Sequence, residues 1–189
     1  MKKVAIFASG NGTNAERIME YFSANKNVEI SLVLTNNPKA GVLKRAKKFD
    51  VACLVFSRED LYKSDKVLEV LSNNQIHFVV LAGFLWLIPA SVLKAYPNKI
   101  INIHPALLPK YGGKGMFGHR VHESVIANNE SLSGITIHYV NEQYDEGDII
   151  FQATCEIIDK DTPDSLASKI HELEYAHFPV VIEKLLEAV

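Results

Sequence analysis

The sequence predicts a single α/β domain with a Rossmann-like open sheet. The sheet is mostly parallel, carries an antiparallel hairpin near the C-terminus and is covered by helices on both faces. Three observations favour this fold class. Short apolar β-rich segments alternate with helical patterns through roughly the first hundred residues, as in βαβ units. Most of these segments are continuously apolar, as expected of strands covered on both faces. The second half ends in two longer strand patterns, joined by a turn-rich segment and followed by a helix.

The individual elements follow from this patterning in chain order. Strand patterns cover residues 3–8, 30–35, 52–56, 77–82, 99–104, 134–141 and 148–158. Helical patterns cover residues 13–26, 40–49, 58–74, 89–95 and 119–129, and a last helix begins at 162–164 and runs toward Val189. Pro89 suits the first turn of its helix, and Thr162 is positioned to cap the last helix with Pro163 in the first turn. Residues 105–118 hold four glycines and two prolines, which indicates a functional loop rather than a regular element.

Length, charge and cysteine content limit the classes of function. The chain has 189 residues, a formal net charge of −2 and 48% hydrophobic residues. One domain over residues 1–189 is expected, with a core that needs neither disulfides nor a structural metal. Cys53 and Cys155 stand in apolar strand-like runs, which indicates buried free thiols in a reducing compartment. The first apolar run is too short for a signal sequence or a membrane span, so a cytoplasmic protein is expected. Without a Lys/Arg block, small molecules rather than nucleic acid or membrane are the expected partners.

A glycine-containing segment, Ser9-Gly10-Asn11-Gly12-Thr13-Asn14, lies between the first strand and the first helix. Glycines let a ligand approach the backbone closely, and the free N–H groups of a helix start favour an anion, so a phosphate is the expected ligand. Gly10-x-Gly12-x-x-Ala15 also matches a dinucleotide fingerprint, but Thr35-Asn36-Asn37 at the end of the second strand offers no carboxylate for a ribose. The pattern therefore favours a phosphate over NAD, with a purely structural tight turn as the alternative.

Asn102 and His104 stand at the carboxyl end of the fifth strand. Because side chains alternate along a strand, both lie on the same side, at the edge where open α/β sheets bind their ligands. An amide and an imidazole that face one cleft can polarise a carbonyl: the amide donates to a developing oxyanion, and the imidazole donates or shuttles a proton. A structural histidine is the alternative, and the local sequence leaves both open.

Asp145 lies in the predicted hairpin turn, within Tyr144-Asp145-Glu146-Gly147-Asp148. Charged residues in such turns are usually solvated. A carboxylate close to His104 would instead raise the pKa of the imidazole and orient its ring. The residue pattern does not choose which carboxylate reaches the histidine.

The remaining histidines and the aromatic segment 83–89 carry weaker signals. His119-x-x-His122-Glu123 has metal-like spacing on one helix face, but no clear third ligand accompanies it, so no metal is predicted. His138 is interpreted as a core or cleft residue and His171 as an ordinary polar residue of the last helix. Trp86 either lines a pocket for a flat ring system or packs inside.

Four segments, in this order, resemble the signature of the folate-dependent formyltransferase family. They are Ser9–Asn14, Leu81-Ala82-Gly83-Phe84, Asn102-Ile103-His104-Pro105-Ala106-Leu107-Leu108-Pro109-Lys110-Tyr111 and Asp145-Glu146-Gly147. The resemblance covers nearly the whole chain. The Asn-x-His-Pro-x-Leu-Leu-Pro run is specific for the family but does not choose the formyl acceptor. The first loop and the chain length are similar to the phosphoribosylglycinamide formyltransferase branch, because methionyl-tRNA formyltransferases and formyltetrahydrofolate hydrolases carry further domains.

This resemblance implies an enzyme of de novo purine biosynthesis. The formyl group of 10-formyltetrahydrofolate, as co-substrate, would pass to the amino group of glycinamide ribonucleotide. The family match makes Asn102, His104 and Asp145 the catalytic set. The amine would attack the formyl carbon directly, with no covalent enzyme intermediate and no metal.

The resemblance also implies binding residues. The ribonucleotide phosphate would lie on Gly10, Asn11, Gly12, Thr13 and Asn14, and the substrate amine would lie near Glu174. The folate would lie against Leu85, Trp86, Leu87, Ile88, Asn102, Asn141 and Tyr144. Arg58 is the candidate for the glutamate tail of the folate, with Lys63 as its rival. A monomer or a weak homodimer is expected.

Other functions remain open at this point. A formyltransferase for another acceptor, such as a nucleotide-linked amino sugar, would keep Asn102, His104 and Asp145 but bind a different ligand at Gly10–Asn14. A nucleotide-binding module without catalysis would keep all its activity after His104→Ala. The missing acidic residue after the second strand weighs against a dinucleotide oxidoreductase.

Overall fold

A computed structural model describes residues 1–188, so Val189, where the predicted domain and last helix end, lies outside the described residues. The strands are β1 (Lys2–Phe7), β2 (Val28–Thr35), β3 (Ala52–Val55), β4 (Phe78–Leu81), β5 (Ile100–His104), β6 (Leu132–Tyr139) and β7 (Ile149–Glu156). The helices are α1 (Thr13–Phe22), α2 (Val42–Lys48), α3 (Arg58–Tyr62), α4 (Lys66–Asn73), α5 (Ala90–Ala95), α6 (His119–Ala127) and α7 (Pro163–Glu187).

The strands form one seven-stranded sheet within residues 1–188, in the order β3-β2-β1-β4-β5-β6-β7. Strands β1 to β5 are parallel, whereas β6 runs antiparallel to β5 and β7 antiparallel to β6. This confirms the predicted open sheet with its antiparallel C-terminal hairpin. The strand order reverses between β1 and β4, and open α/β sheets bind ligands at the carboxyl ends of strands beside such a reversal.

Two hydrophobic cores cover the two faces of the sheet. Along β1, Val4 and Ile6 join the core formed with α1, α2, α6 and α7. The alternate residues Ala5 and Phe7 join the second core, formed with α3, α4 and α5. All four of these residues are fully buried, which explains why the central strands are apolar at every position rather than at every second one.

The single helix predicted over residues 58–74 is wrong, because the chain breaks there into α3 and α4. Ser57 and Asp60 form a capping box that starts α3. The hydroxyl of Ser64 donates to the carbonyl oxygens of Glu59 and Asp60, an alternative to continued helical bonding. Lys66, at the start of α4, pairs with Asp60. These local polar contacts override a periodicity that otherwise favours one long helix.

The two cysteines are free, as expected, but the prediction that both are buried is wrong. Cys53 is exposed and Cys155 is half-buried. Both stand on edge strands, β3 and β7, where one side of the strand lacks a neighbour. An apolar run therefore does not guarantee burial when its strand lies at the edge of a sheet.

The last helix begins as the sequence predicts. Thr162 accepts a hydrogen bond from the backbone N–H of Ser165, and Pro163 occupies the first turn. Neither α7 nor any other helix within residues 1–188 is long and apolar enough to cross a membrane.

Candidate active site

A cavity of about 550 Å³ opens at the carboxyl ends of β1, β4 and β5, a usual size for a small-molecule site. It is bounded by the 113–118 loop and by α6 and α7. The predicted site residues that line it are Gly10, Asn14, Leu85, Asn102, His104, Tyr144, Asp145 and Glu174. Residues from both ends of the chain thus meet at one opening beside the strand reversal.

His104 is 3% exposed, and both of its ring nitrogens face protein groups. Nε2 lies 2.7 Å from the carbonyl oxygen of Tyr111, and Nδ1 lies 3.5 Å from Oδ2 of Asp145. Burial lowers the pKa of His104, while the Asp145 charge and the Tyr111 carbonyl oppose this effect. A buried imidazole between two acceptors can hold a second proton when charge develops nearby.

Asp145 is held in an uncommon backbone conformation, with φ of 57°. Its Oδ2 accepts a hydrogen bond of 3.0 Å from the backbone N–H of Gly113. A Cβ atom at Gly112 would meet Cβ of Asp145 at 3.3 Å, so the glycine loop packs directly on the aspartate. Burial raises the pKa of Asp145, but the surrounding polar groups, among them His104 and the Gly113 N–H, outweigh this effect and lower the pKa overall. The carboxylate is therefore charged at neutral pH.

His138 orients Asn102. The two residues are opposite each other in the β5–β6 register, and Nδ2 of Asn102 lies 3.1 Å from Nε2 of His138. Nδ1 of His138 lies 2.8 Å from the carbonyl oxygen of Tyr139. A carbonyl can only accept, so Nδ1 carries the proton and Nε2 accepts from the Asn102 amide. The same Nδ2 also donates to Oδ1 of Asp145 at 3.4 Å, which leaves the Asn102 carbonyl without a role in these two bonds.

We call these four residues, Asn102, His104, His138 and Asp145, the β5 wall. Asn102, His104 and Asp145 line the large cavity, and His138 supports them from an adjoining smaller cavity. The sequence predicted three of them. His138 was seen only as a core or cleft residue. Side chains alternate between the two faces of β6, and this alternation puts His138 on the same face as Asn102. The prediction also requires knowing that β6 pairs with β5, which the sequence does not say.

The loop before α1 is fixed by α2. Gly12 has φ of 76°, and a Cβ atom there would meet Cβ of Val42 at 2.5 Å, so no larger residue fits. The carbonyl of Gly10 accepts from the Val42 N–H, and the carbonyl of Asn11 accepts from Arg45. A Cβ atom at Gly10, by contrast, would meet nothing within 4 Å. Gly12 therefore serves the turn, while Gly10 leaves open space beside the cavity.

The opposite side of the cavity is lined by His122 of α6 and by His171 and Glu174 of α7, and we call it the α6–α7 wall. Glu174 is 5% exposed and its Oε2 accepts from Asn14 at 2.8 Å; burial raises its pKa to about 7, against a smaller opposing effect of the Asn14 bond. Within residues 1–188, Nδ1 of His122 is buried without a hydrogen-bond partner. Burial, followed by the neighbouring histidines His171, His119 and His104, lowers the pKa of His122 to about 4.

His122 and His171 were not predicted as site residues. Their helical spacing is ordinary, and only the packing of α6 beside α7 brings them to one cavity. His171 is exposed and stacks on Tyr175.

An aromatic group borders the cavity on the β4 side. Trp86, Leu87 and Ile88 line a smaller cavity of about 50 Å³, which shares Asn102, Tyr144 and Asp145 with the larger one. The Trp86 ring packs edge-on against Phe56 and Phe84, and the Arg58 guanidinium lies 4.8 Å from its centroid.

Several predicted binding residues, all within the described chain, lie outside both cavities. Asn11 is exposed and bonded to Arg45, and Thr13 lines a separate cavity between α1 and Tyr175. Asn141 is exposed and its side chain accepts from the N–H of Gln143, which shapes the turn. Lys63, the rival of Arg58, is exposed at the end of α3.

The two histidines of the metal-like pair on α6 have different surroundings, although their rings lie edge to face with centroids 6.4 Å apart. His119 is half-exposed and lies near Glu123 and Asp164, whereas His122 points to the cavity. Among residues 1–188, no three or more His, Cys, Asp or Glu side chains are grouped as metal ligands.

Comparisons with known proteins agree on one family. Residues 2–182 match the family model described as formyl transferase. Phosphoribosylglycinamide formyltransferase of Bacillus subtilis is 37% identical over 191 residues, covering 98% of this chain and 95% of the relative. The chloroplastic enzyme of that name from Arabidopsis thaliana is 38% identical over 98% of this chain, and the chain spans 66% of its length. The chain spans 61% of the length of the relative of that name from Vigna unguiculata.

Solved structures of proteins with the same name share the fold. The structure from Anaplasma phagocytophilum has a TM-score of 0.90 at 32% identity, covering 98% of this chain and 87% of the other. The structure from Bacillus halodurans has a TM-score of 0.88 at 38% identity, with coverages of 98% and 95%.

Proposed function

The chain belongs to the formyl transferase family, and we propose that it transfers the formyl group of 10-formyltetrahydrofolate to the amino group of glycinamide ribonucleotide. One observation carries the proposal: Asn102, His104 and Asp145 converge at a cavity that the Gly10–Asn14 loop also borders. An anion site at a helix start and a carbonyl-polarising set thus share one opening. The names of relatives that match nearly the whole chain support this choice of acceptor.

The reaction begins when the substrate amine attacks the formyl carbon. The carbonyl oxygen then takes up negative charge, which protonated His104 and the amide of Asn102 stabilise. Because the Asn102 amide contacts Asp145 at 3.4 Å, longer than an ordinary bond, this is the contact it gives up to reach the oxyanion. The bond to His138 keeps the amide in place.

Asp145 supports the imidazolium and helps to move protons. The attacking nitrogen must lose a proton, and the folate nitrogen that leaves must gain one. The carboxylate of Asp145 lies 3.5 Å from Nδ1 of His104, close enough to stabilise its charge and to relay a proton through water. The bond that forms is the new amide C–N bond, and the bond that breaks joins the formyl carbon to the folate.

The acceptor binds across the cavity from α1 to β5. Its phosphate lies on the backbone of Gly10–Asn14 at the start of α1, where N–H groups favour an anion. Asn14 borders this site and also bonds Glu174, which faces the middle of the acceptor and its amine.

The folate lies on the aromatic side of the cavity. Leu85 and Tyr144 line the large cavity, and Trp86 to Ile88 form the adjoining apolar surface for the pterin ring. Arg58, held over Trp86, is the positive group on this side for the glutamate tail.

We also propose a single domain, working in the cytoplasm as a monomer or a weak homodimer on small-molecule substrates. The residues assigned to the site are drawn from elements between the first strand and the last helix, as expected of one domain. The free and exposed thiol of Cys53 fits a reducing compartment.

The test is a formyl-transfer assay on the purified protein with 10-formyltetrahydrofolate and glycinamide ribonucleotide. Parallel reactions use the same donor with a nucleotide-linked amino sugar, and glycinamide ribonucleotide with formate and ATP. Turnover with the first pair only is expected. Turnover only with the amino sugar would keep the formyl chemistry and overturn the assigned acceptor, and no turnover with any pair would favour a binding module without catalysis.

A further inference from the structure

His122 is a buried polar side chain whose bonding is incomplete. It is 4% exposed, lines the large cavity, and its Nδ1 has no hydrogen-bond partner among residues 1–188. Buried polar groups in folded proteins are nearly always bonded, because an unmet donor or acceptor destabilises the fold. Nδ1 is closed off from solvent, so a ligand in the cavity meets the imidazole at its other nitrogen, Nε2. A buried side chain without bonds at the edge of a binding cavity points to a ligand as its partner.

The surroundings of His122 indicate what kind of ligand group it meets. Burial and the neighbouring histidines lower the pKa of His122 to about 4, so the imidazole is neutral at physiological pH. A neutral imidazole has one donor and one acceptor nitrogen, and so does not attract a phosphate dianion by charge. A hydroxyl group, which also both donates and accepts, matches it.

The order of groups along the acceptor leads to the same conclusion. In glycinamide ribonucleotide the ribose lies between the phosphate and the glycinamide amine. With the phosphate on Gly10–Asn14 and the amine at Asn102 and His104, the ribose must cross the middle of the cavity. Glu174, bonded to Asn14, lines that cavity together with His122.

We infer that His122 hydrogen-bonds a ribose hydroxyl of the acceptor from the α6–α7 wall and so selects a ribonucleotide over its deoxy analogues. This inference rests on the proposed function, since it assumes glycinamide ribonucleotide as the acceptor. It makes His122 a specificity-determining residue rather than a structural one.

The test compares wild type with His122→Leu on glycinamide ribonucleotide and on its 2′-deoxy and 3′-deoxy analogues. Wild type is expected to prefer the ribonucleotide over at least one analogue by about tenfold in kcat/KM, the effect of one lost hydrogen bond. His122→Leu is expected to lose about tenfold with the ribonucleotide, mainly in its KM, and to remove the preference. The KM for the folate stays unchanged.

His119→Leu is the matched control, because His119 starts the same helix but is half-exposed and does not line the cavity. It is expected to keep the wild-type preference. Thermal unfolding supplies a second readout: replacing an unbonded buried imidazole with an apolar group should leave Tm equal or higher, whereas a structural histidine would lower it. If His122→Leu fails to fold, His122→Asn, which keeps a short polar group, replaces it and is expected to retain part of the preference.

An unchanged ribose preference in a folded His122 variant overturns the inference and leaves the proposed function intact. So does a wild type that transfers formyl groups equally well to all three acceptors. A wild type without formyl transfer to glycinamide ribonucleotide overturns the proposed function, and the inference with it.

Discussion

The two walls of the cavity differ in how completely their polar side chains are bonded. On the β5 wall, Asn102, His104 and Asp145 each contact another member of the wall or a backbone group. On the α6–α7 wall, Glu174 accepts a bond from Asn14, but Nδ1 of His122 has no partner within residues 1–188. The polar side chains of the β5 wall thus bond to one another or to the backbone, whereas the α6–α7 wall, among the described residues, keeps a buried imidazole nitrogen without a hydrogen bond.

This difference indicates a division of labour. Groups that stabilise developing charge act best when they are already oriented, and the β5 wall holds its residues in place even at the expense of a left-handed Asp145. Groups that bind a substrate gain specificity when their bonds are completed only by that substrate. The first wall is therefore expected to govern kcat, and the second to govern acceptor binding and to lower the stability of the free protein.

The largest effect is expected from His104→Ala. General acid–base groups contribute about 10²–10⁴-fold, so kcat should fall by that factor while the protein folds normally. Steady-state kinetics and circular dichroism measure the two quantities. His77→Ala, on an exposed histidine outside the cavity, is the control. A His104→Ala enzyme within about threefold of wild type would remove His104 from the mechanism.

Glu174→Gln measures how much the buried carboxylate of the α6–α7 wall destabilises the folded protein. Burial raises the folded-state pKa of Glu174 to about 7, from an ordinary value of 4.5. The folded protein binds the proton of the Glu174 carboxyl group more tightly than the unfolded chain does. The stabilisation that this proton gives to the folded state is therefore complete below pH 4.5 and is lost as pH rises through about 7. At pH 8, Glu174→Gln should therefore raise the free energy of unfolding by about 3 kcal/mol.

Denaturant unfolding from pH 4 to pH 8 checks this effect, with both proteins expected to match at the acid end. Glu172→Gln, an exposed carboxylate on the same helix, should leave the profile unchanged. Parallel profiles for wild type and Glu174→Gln would show that Glu174 is not held in an unfavourable charged form.

Asp145→Asn tests the bonding within the β5 wall. The Asp145 charge opposes the effect of burial on His104, so its removal should lower the pKa of His104 further. Less imidazolium is then present at neutral pH, and kcat should fall by about 10²-fold. NMR titration of the His104 ring measures the pKa, with Glu146→Gln, an exposed carboxylate in the same turn, as the control. An unchanged pKa of His104 in Asp145→Asn would show that Asp145 does not act on the His104 imidazole.

The fold was readable from the sequence because its signals are local. Continuous apolar runs identified the central strands, and Thr162 with Pro163 identified the start of α7. The break between α3 and α4 was missed because it depends on competing bonds of Ser64 and Asp60, which periodicity does not register. The exposure of Cys53 was missed because strand order, and hence which strand forms an edge, is a tertiary property.

The site could be predicted from the sequence where reactive side chains stand at the carboxyl end of a strand. Alternation along β5 put Asn102 and His104 on one side, and the structure brings both close to Asp145, as the family resemblance implied. Their catalytic roles stay predictions. His122 could not be found in this way, because nothing in the spacing of α6 says that one of its histidines is buried against a cavity while the other is half-exposed.

The smallest effect is expected from His138→Ala, and it separates orientation from chemistry on the β5 wall. His138 accepts a bond from the Asn102 amide but is not itself assigned to the reacting atoms. Without it the amide turns more freely, so kcat should fall by about tenfold while the KM of the acceptor stays near wild type. His138→Gln, whose side-chain carbonyl can accept the same bond, should restore part of the rate, and no rescue would mean that His138 does more than hold Asn102. A change in acceptor KM that matches His122→Leu would erase the distinction between the two walls.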